Sequence, residues 1–369
     1  MVPYIRGLVA PQAHVDVPEG TVEEEYGRSG FFGRYAHLYR TEAPVGWTRI
    51  EGALKPRAYN LTRLENEHLK RSDYLRERVA LLSNSDVRII WANINTPMDC
   101  YFRNADGDEV LFVHDGSGTL QTDFGPLKYK IGDYLVIPRG TVYRLVPKTA
   151  SSFLIIESFS EVRLPNKGML GQHALFDPAV IQVPTPEAQP GPLGAGDFEL
   201  KIKREGEISS VFYPFSPLNT VGWKGDLTVW QLNISDIRPV SCDRYHLPPS
   251  AHTTFVADDF VICTFLPRPL ENGDPGAMKV PFYHSNIDYD EVIFYHSGEF
   301  FSRGGILPGH MTFHPQGIHH GPQRSAITRS KDVTNTIEQA VMIDTRRPLK
   351  PDRGAGMVEL QDYWRSWQD

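Results

Sequence analysis

The sequence predicts an all-β protein built from two barrels, on three observations. Turn residues are frequent, with 31 Gly and 29 Pro among 369 residues, and they punctuate short apolar runs of strand length. The chain also exceeds the ~150 residues typical of one domain. Finally, one spacing pattern occurs twice. In the second half, His284-Ser285-Asn286, four residues, Glu291, six residues and Gly298 are followed by Gly309, five residues, Pro315-Gln316-Gly317, two residues and His320. In the first half, Phe102-Arg103-Asn104, four residues, Glu109, six residues and Gly116 are followed by Gly132, five residues, Pro138-Arg139-Gly140, two residues and Tyr143. The histidines of the second copy are aromatic residues in the first, so one barrel is expected to hold a metal and the other only structure.

Residues 1–182 are expected to form an N-terminal arm and the metal-free barrel. Within the arm, Leu61–Leu82 is charged and rich in helix formers, among them Leu64, Glu67, Lys70 and Glu77. Strands follow at Val87–Ile90, Glu109–His114, Thr119–Gln121, Leu127–Tyr129, Tyr134–Ile137, Tyr143–Val146 and Ser152–Ile156. Residues 183–197 carry four prolines and three glycines without apolar periodicity and read as a linker. The metal-binding barrel would then span 198–369, with strands at Thr228–Leu232, Phe260–Phe265, Glu291–Tyr295, Glu299–Phe301, His310–Phe313 and Ala340–Ile343. Val358–Trp367 is expected to be a short peripheral helix with Trp364 and Trp367 on one face.

A net charge of -7 without long basic runs argues against nucleic acid as a partner. No segment reaches the ~18 apolar residues of a membrane span, and the first 20 residues lack the basic-then-apolar pattern of a signal peptide. Cys100, Cys242 and Cys263 share no metal-ligand spacing and suit a reducing compartment. A soluble, cytoplasmic protein is expected.

His284, Glu291 and His320 are the expected metal ligands. Alternate residues of a barrel strand point inward, so side chains from neighbouring strands can converge on one interior point. Two neutral imidazoles and one carboxylate leave coordination positions open, the arrangement associated with non-haem Fe(II) that binds substrate and O2 together. Asp290 competes with Glu291 and His319 with His320, but the repeated spacing selects Glu291 and His320. Asn286 stands where a third histidine could ligate and is expected to support the site or bind weakly.

These paired spacings resemble the two motifs of the cupin superfamily. Beyond them, the stretches Val221-Gly222-Trp223, Tyr245-His246-Leu247-Pro248-Pro249-Ser250, Asp259-Phe260-Val261-Ile262, Phe282-Tyr283-His284, Gly304-Gly305-Ile306-Leu307-Pro308-Gly309 and His320-Gly321-Pro322 resemble the homogentisate 1,2-dioxygenase family. The first half resembles it only loosely, and Ser285 stands where the best-known members carry arginine. The resemblance implies Fe(2+) on His284, Glu291 and His320, His246 as the base, and His314 close to the metal. It further implies a small dihydroxylated aromatic acid and O2 as the reacting partners, and an oligomeric enzyme of aromatic amino-acid breakdown.

His252 rivals His246 for the role of base, and both remain open at the level of sequence. Other readings of the same motif are a quercetinase-like dioxygenase, an isomerase using Zn or Mn, and a non-enzymatic binding protein of two barrels. The full ligand set in one half counts against the last.

Overall fold

The computed structural model describes residues 4–64, 74–166, 175–187, 197–300, 302–323, 326–328 and 332–368. Its regular structure is almost all strand, in two six-stranded sheets, one of seven strands, one of three and one of two. Among the described residues, no helix is long and apolar enough to cross a membrane.

The seven-stranded sheet is the spine of the molecule, because both of its faces are covered. Along Val87–Ile94, residues Val87, Ile89 and Trp91 enter one core cluster, whereas Ile90, Ala92 and Ile94 enter another. Val110 and Phe112 likewise face away from Leu111 and Val113, and Leu154 and Ile156 away from Phe153 and Ile155. A strand covered on both sides reads as a continuous apolar run, which is why these segments lack polar alternation. Truncating the fully buried Trp91 to alanine would cost about 3–5 kcal/mol.

On one side, the seven-stranded sheet packs against the six-stranded sheet that contains Tyr101–Asn104 and Val142–Pro147. On the other, it packs against a second six-stranded sheet through Phe260, Ile262, Val292, Phe294, Phe313, Val341 and Ile343. The opposite face of that second sheet carries Glu291 and His314. It is closed by a three-stranded sheet of Tyr283–Asn286, Val22–Gly27 and Tyr35–Arg40.

The repeated spacing reappears as repeated geometry. Phe102 pairs with Tyr143 across antiparallel strands, and His284 forms the matching bridge with His320. Gly116 and Gly298 both turn with positive φ, at 90° and 94°. A Cβ at either would strike a backbone carbonyl, of Ala150 and Ile337 respectively, so glycine is required at both.

Strand pairing crosses the division expected at residues 183–197. The hairpin Phe198–Arg204 and Glu207–Tyr213 continues the first half's sheet alongside Tyr101–Asn104, and Trp230–Asn233 pairs with Asp133–Ile137. In the other direction, Arg57–Asn60 pairs with His310–His314, and Val22–Gly27 runs parallel to Tyr283–Asn286. Part of the expected linker, 188–196, lies outside the described residues.

Other elements differ from expectation. Within Leu61–Leu82, Val79–Ser83 is a strand rather than helix, because its apolar run pairs with Val87–Ile94; Glu67 and Lys70 lie outside the described residues. Glu299 and Phe300 are not in a strand, and Phe301 is outside the described residues. Near the C-terminus, a helix at Arg353–Val358 and a 3₁₀ turn at Tyr363–Trp367 replace the single helix. The turn buries Tyr363 with Trp367, whereas Trp364 is only half-buried.

Candidate metal centre

Three elements bring the expected ligands together. His284 sits in the Tyr283–Asn286 strand, and Glu291 opens the next strand, Asp290–Ser297. His320 reaches the site by exchanging two backbone hydrogen bonds with His284, at 3.0 and 3.1 Å. Their ligand atoms all lie within 4.8 Å of one another, and all three residues are buried. His284 Nε2 and His320 Nε2 are each 3.6 Å from Glu291 Oε2. That is too long for a hydrogen bond, and close to the spacing of donors that share one cation at ~2.1 Å.

The orphaned nitrogens decide the fit to a metal. His284 Nδ1 faces the Phe282 carbonyl at 3.4 Å, leaving Nε2 without a partner; His320 Nε2 has none either. A buried polar atom left unpaired costs about 1–3 kcal/mol. A cation on the two Nε2 lone pairs would satisfy those atoms; His320 Nδ1, on the other side of its ring, also has no partner among the described residues. Burial also lowers the pKa of His284 and His320, which keeps both imidazoles in the neutral, metal-binding form.

Behind the ligands stands a hydrogen-bonded chain. His314 Nδ1–H donates to Glu291 Oε1 at 2.7 Å, and its Nε2 accepts from the Tyr363 hydroxyl at 3.0 Å. The ring stacks on His320 at 5.1 Å. Glu291 is thus aimed with one oxygen at His314 and the other at the two histidines. Across the sheet from Glu291, burial foremost and then the charges of Glu291 and Asp290 push the Asp344 carboxyl well up. Of the two facing carboxyls, Glu291 keeps the charge.

His246 is fully buried and stacks on Phe282 at 4.0 Å, and Phe282 in turn packs on His284 at 4.9 Å. One aromatic ring therefore separates His246 from the ligand. Its Nδ1 lies 3.3 Å from the Met278 carbonyl and its Nε2 has no partner. Burial first, then His14, lower its pKa to about 3. His252 is also buried, lines the same cavity as His284 and Glu291, and has a pKa lowered by burial to about 3. Asn286 is buried two positions beyond His284, in register with Gly27, and its Oδ1 lies against Gly27. His319 lies 3.0 Å from Glu24 rather than among the ligands.

The cavity beside the ligands has apolar walls that include Leu247, Phe265, Ile293 and Met342, together with two buried cations, Arg268 and Arg303. Arg268 Nη1 and Arg303 Nε lack hydrogen-bond partners. The spacing pattern contained neither arginine, nor Tyr363, nor the arm residues His14 and Glu25 that gather beside His246. Long-range strand pairing brings the arm there, and it leaves no local signal in the sequence.

A family model described as homogentisate 1,2-dioxygenase N-terminal matches residues 60–234. A protein provisionally named a dioxygenase, from Saccharolobus solfataricus, is 35% identical over 361 residues, covering 94% of this chain and 92% of that protein. The chain belongs to the homogentisate 1,2-dioxygenase family. Homogentisate 1,2-dioxygenases of Bradyrhizobium diazoefficiens and Legionella pneumophila are 27% and 26% identical, over 73% and 85% of this chain. The chain spans 63% of the length of the first and 74% of the second. The matched residues lie mainly in the first half, against the expectation that this half resembles the family only loosely.

Proposed function

We propose that this protein is an Fe(II)-dependent dioxygenase that opens the ring of a dihydroxylated aromatic acid, homogentisate or a close analogue. The observation that carries this reading is the buried pair of partnerless nitrogens, His284 Nε2 and His320 Nε2, facing Glu291 Oε2 in a chain of this family. Two imidazoles and one carboxylate hold Fe(II) with positions left for a phenolic oxygen and O2, and the iron would supply the electronic link between them.

The chain's own residues do the rest. His314 and Tyr363 fix the direction of the Glu291 carboxylate, and the apolar cavity wall excludes water from the bound ring. Both candidate bases are held neutral by burial: His252 lines the cavity of His284 and Glu291, and His246 stands behind the Phe282 ring with Nδ1 directed at the Met278 carbonyl and Nε2 left as its proton-accepting atom. Arg303, whose Nε has no hydrogen-bond partner among the described residues, suits the acid group of the substrate; Arg268 Nη1 already faces Glu338 Oε1 at 3.9 Å in the same cavity. We place the reaction in the cytoplasm, where the three free cysteines stay reduced.

The test is anaerobic loading with Fe(II), addition of a panel of dihydroxyphenyl acids, then O2 with uptake and product mass recorded. Uptake with one acid and a product that has gained both oxygen atoms is expected. No uptake with any hydroquinone or catechol acid overturns the reading.

A further inference from the structure

Next to the first centre, with His246 stacked on Phe282 and Glu25 in register with His284, the N-terminal arm brings up a second set of metal-type donors. His14, Glu25 and His246 have ligand atoms within 4.8 Å of one another, and the rings of His14 and His246 are 4.1 Å apart. Each imidazole has one nitrogen already directed at a fixed group. His14 Nδ1 lies 2.6 Å from Glu23 Oε1, while Glu23 Oε2 accepts from the His14 backbone N–H at 3.2 Å and the Tyr39 hydroxyl at 2.8 Å. His246 Nδ1 faces the Met278 carbonyl at 3.3 Å. A carboxylate on one ring and a main-chain carbonyl on the other are the partners that orient ligating histidines and leave Nε2 as the free lone pair.

The free atom is also the orphaned one. His246 is fully buried and its Nε2 has no hydrogen-bond partner, so an acceptor of its lone pair is missing among the described residues. Glu25, in the strand that pairs with the ligand strand, supplies the carboxylate. His14 also meets Glu23 and His37 in a second grouping. There, however, Glu23 is occupied by its hydrogen bonds to His14 and Tyr39, which makes it the support of His14 rather than a ligand.

We propose that His14, Glu25 and His246 form a second divalent-cation site beside the His284–Glu291–His320 centre. A cation there occupies the nitrogen through which His246 would accept a proton, so filling the site slows turnover. The second statement rests on the function proposed above; the first does not. Two imidazoles and one carboxylate suit Zn2+, which is the probe.

Iron-loaded protein is titrated with Zn2+ under anaerobic conditions, and both metals are counted after gel filtration. The expected result is one added equivalent of zinc with iron retained, and zinc affinity reduced about tenfold or more in Glu25→Gln and His14→Ala. In iron-free protein, His320→Ala should still take one equivalent of zinc, which tests the second site whatever becomes of the first. Zinc should lower O2 uptake by the wild type and leave Glu25→Gln unaffected. Glu25→Gln, which keeps the shape of the side chain, serves where His14→Ala disturbs the arm. The proposal is overturned if zinc binds only by displacing iron, or if both arm variants bind zinc as the wild type does.

Discussion

Tyr143 donates its hydroxyl to Glu109 Oε2 at 2.8 Å, standing to Glu109 as His320 stands to Glu291. The Arg78 guanidinium bonds the other oxygen of Glu109 and lies over the Phe102 ring. In the first half, a protein cation and a phenol thus satisfy the carboxylate that in the second half faces two empty-handed imidazoles.

Replacing Arg78 with methionine should therefore leave Glu109 as a buried, half-paired charge. Loss of one partner of such a pair costs about 3–5 kcal/mol. Denaturant unfolding of Arg78→Met should show a loss of that size, and a change under 1 kcal/mol would mean that Glu109 is satisfied in some other way.

Metal content should divide the two halves. His320→Ala and Glu291→Gln each remove a ligand from the donor group and should purify with iron well below one equivalent. Tyr143→Ala, at the matching position, should keep the wild-type content. Full occupancy in His320→Ala would show the ligand set to be wrong.

Tyr363→Phe removes the hydroxyl that holds His314 Nε2, and with it the restraint on the ring that aims Glu291. Loss of such an outer partner lowers metal affinity about 10–100-fold. A chelator competition assay reads this directly, and an unchanged affinity would make Tyr363 a packing residue only.

Acid should destabilise the fold through its buried imidazoles. Burial lowers the pKa of His114 to about 4 and of His246, His252 and His296 to about 3. The unfolded chain keeps the ordinary histidine value of about 6.5. Between 6.5 and 4 it binds protons that the folded chain refuses, so stability is full above about 6.5 and falls with pH through this window. Urea midpoints at pH 7.5, 6 and 5 should decline in that order. A flat profile would mean that these imidazoles reach solvent.

What could be read from the sequence was what repeats or alternates locally. The glycines of the two motifs have the same φ sign and turn because their spacing records a turn that only glycine makes. His284, Glu291 and His320 fall together for the same reason: the spacing fixes a strand register. Helix formers run through Leu61–Leu82, yet Val79–Ser83 is a strand, since helix propensity in a charged stretch yields to pairing with a neighbouring apolar strand. The boundary at 183–197 marked a composition change but not a division of the sheets, because the strands exchanged across it carry no label of their destination. Arg78, His14 and Glu25 were invisible on the same ground, each meeting its partners only through folding.

The parallel pairing of Val22–Gly27 with Tyr283–Asn286 bears on the order of assembly. Contacts across so long a stretch close slowly, and the arm leaves the ribosome long before the strand that it must flank. His314 in turn waits for Tyr363. The sheets of the first half can therefore nucleate during synthesis, while the pocket of His284, Glu291 and His320 takes shape only after the arm, the Tyr283–Asn286 strand and the 3₁₀ turn at Tyr363–Trp367 have met.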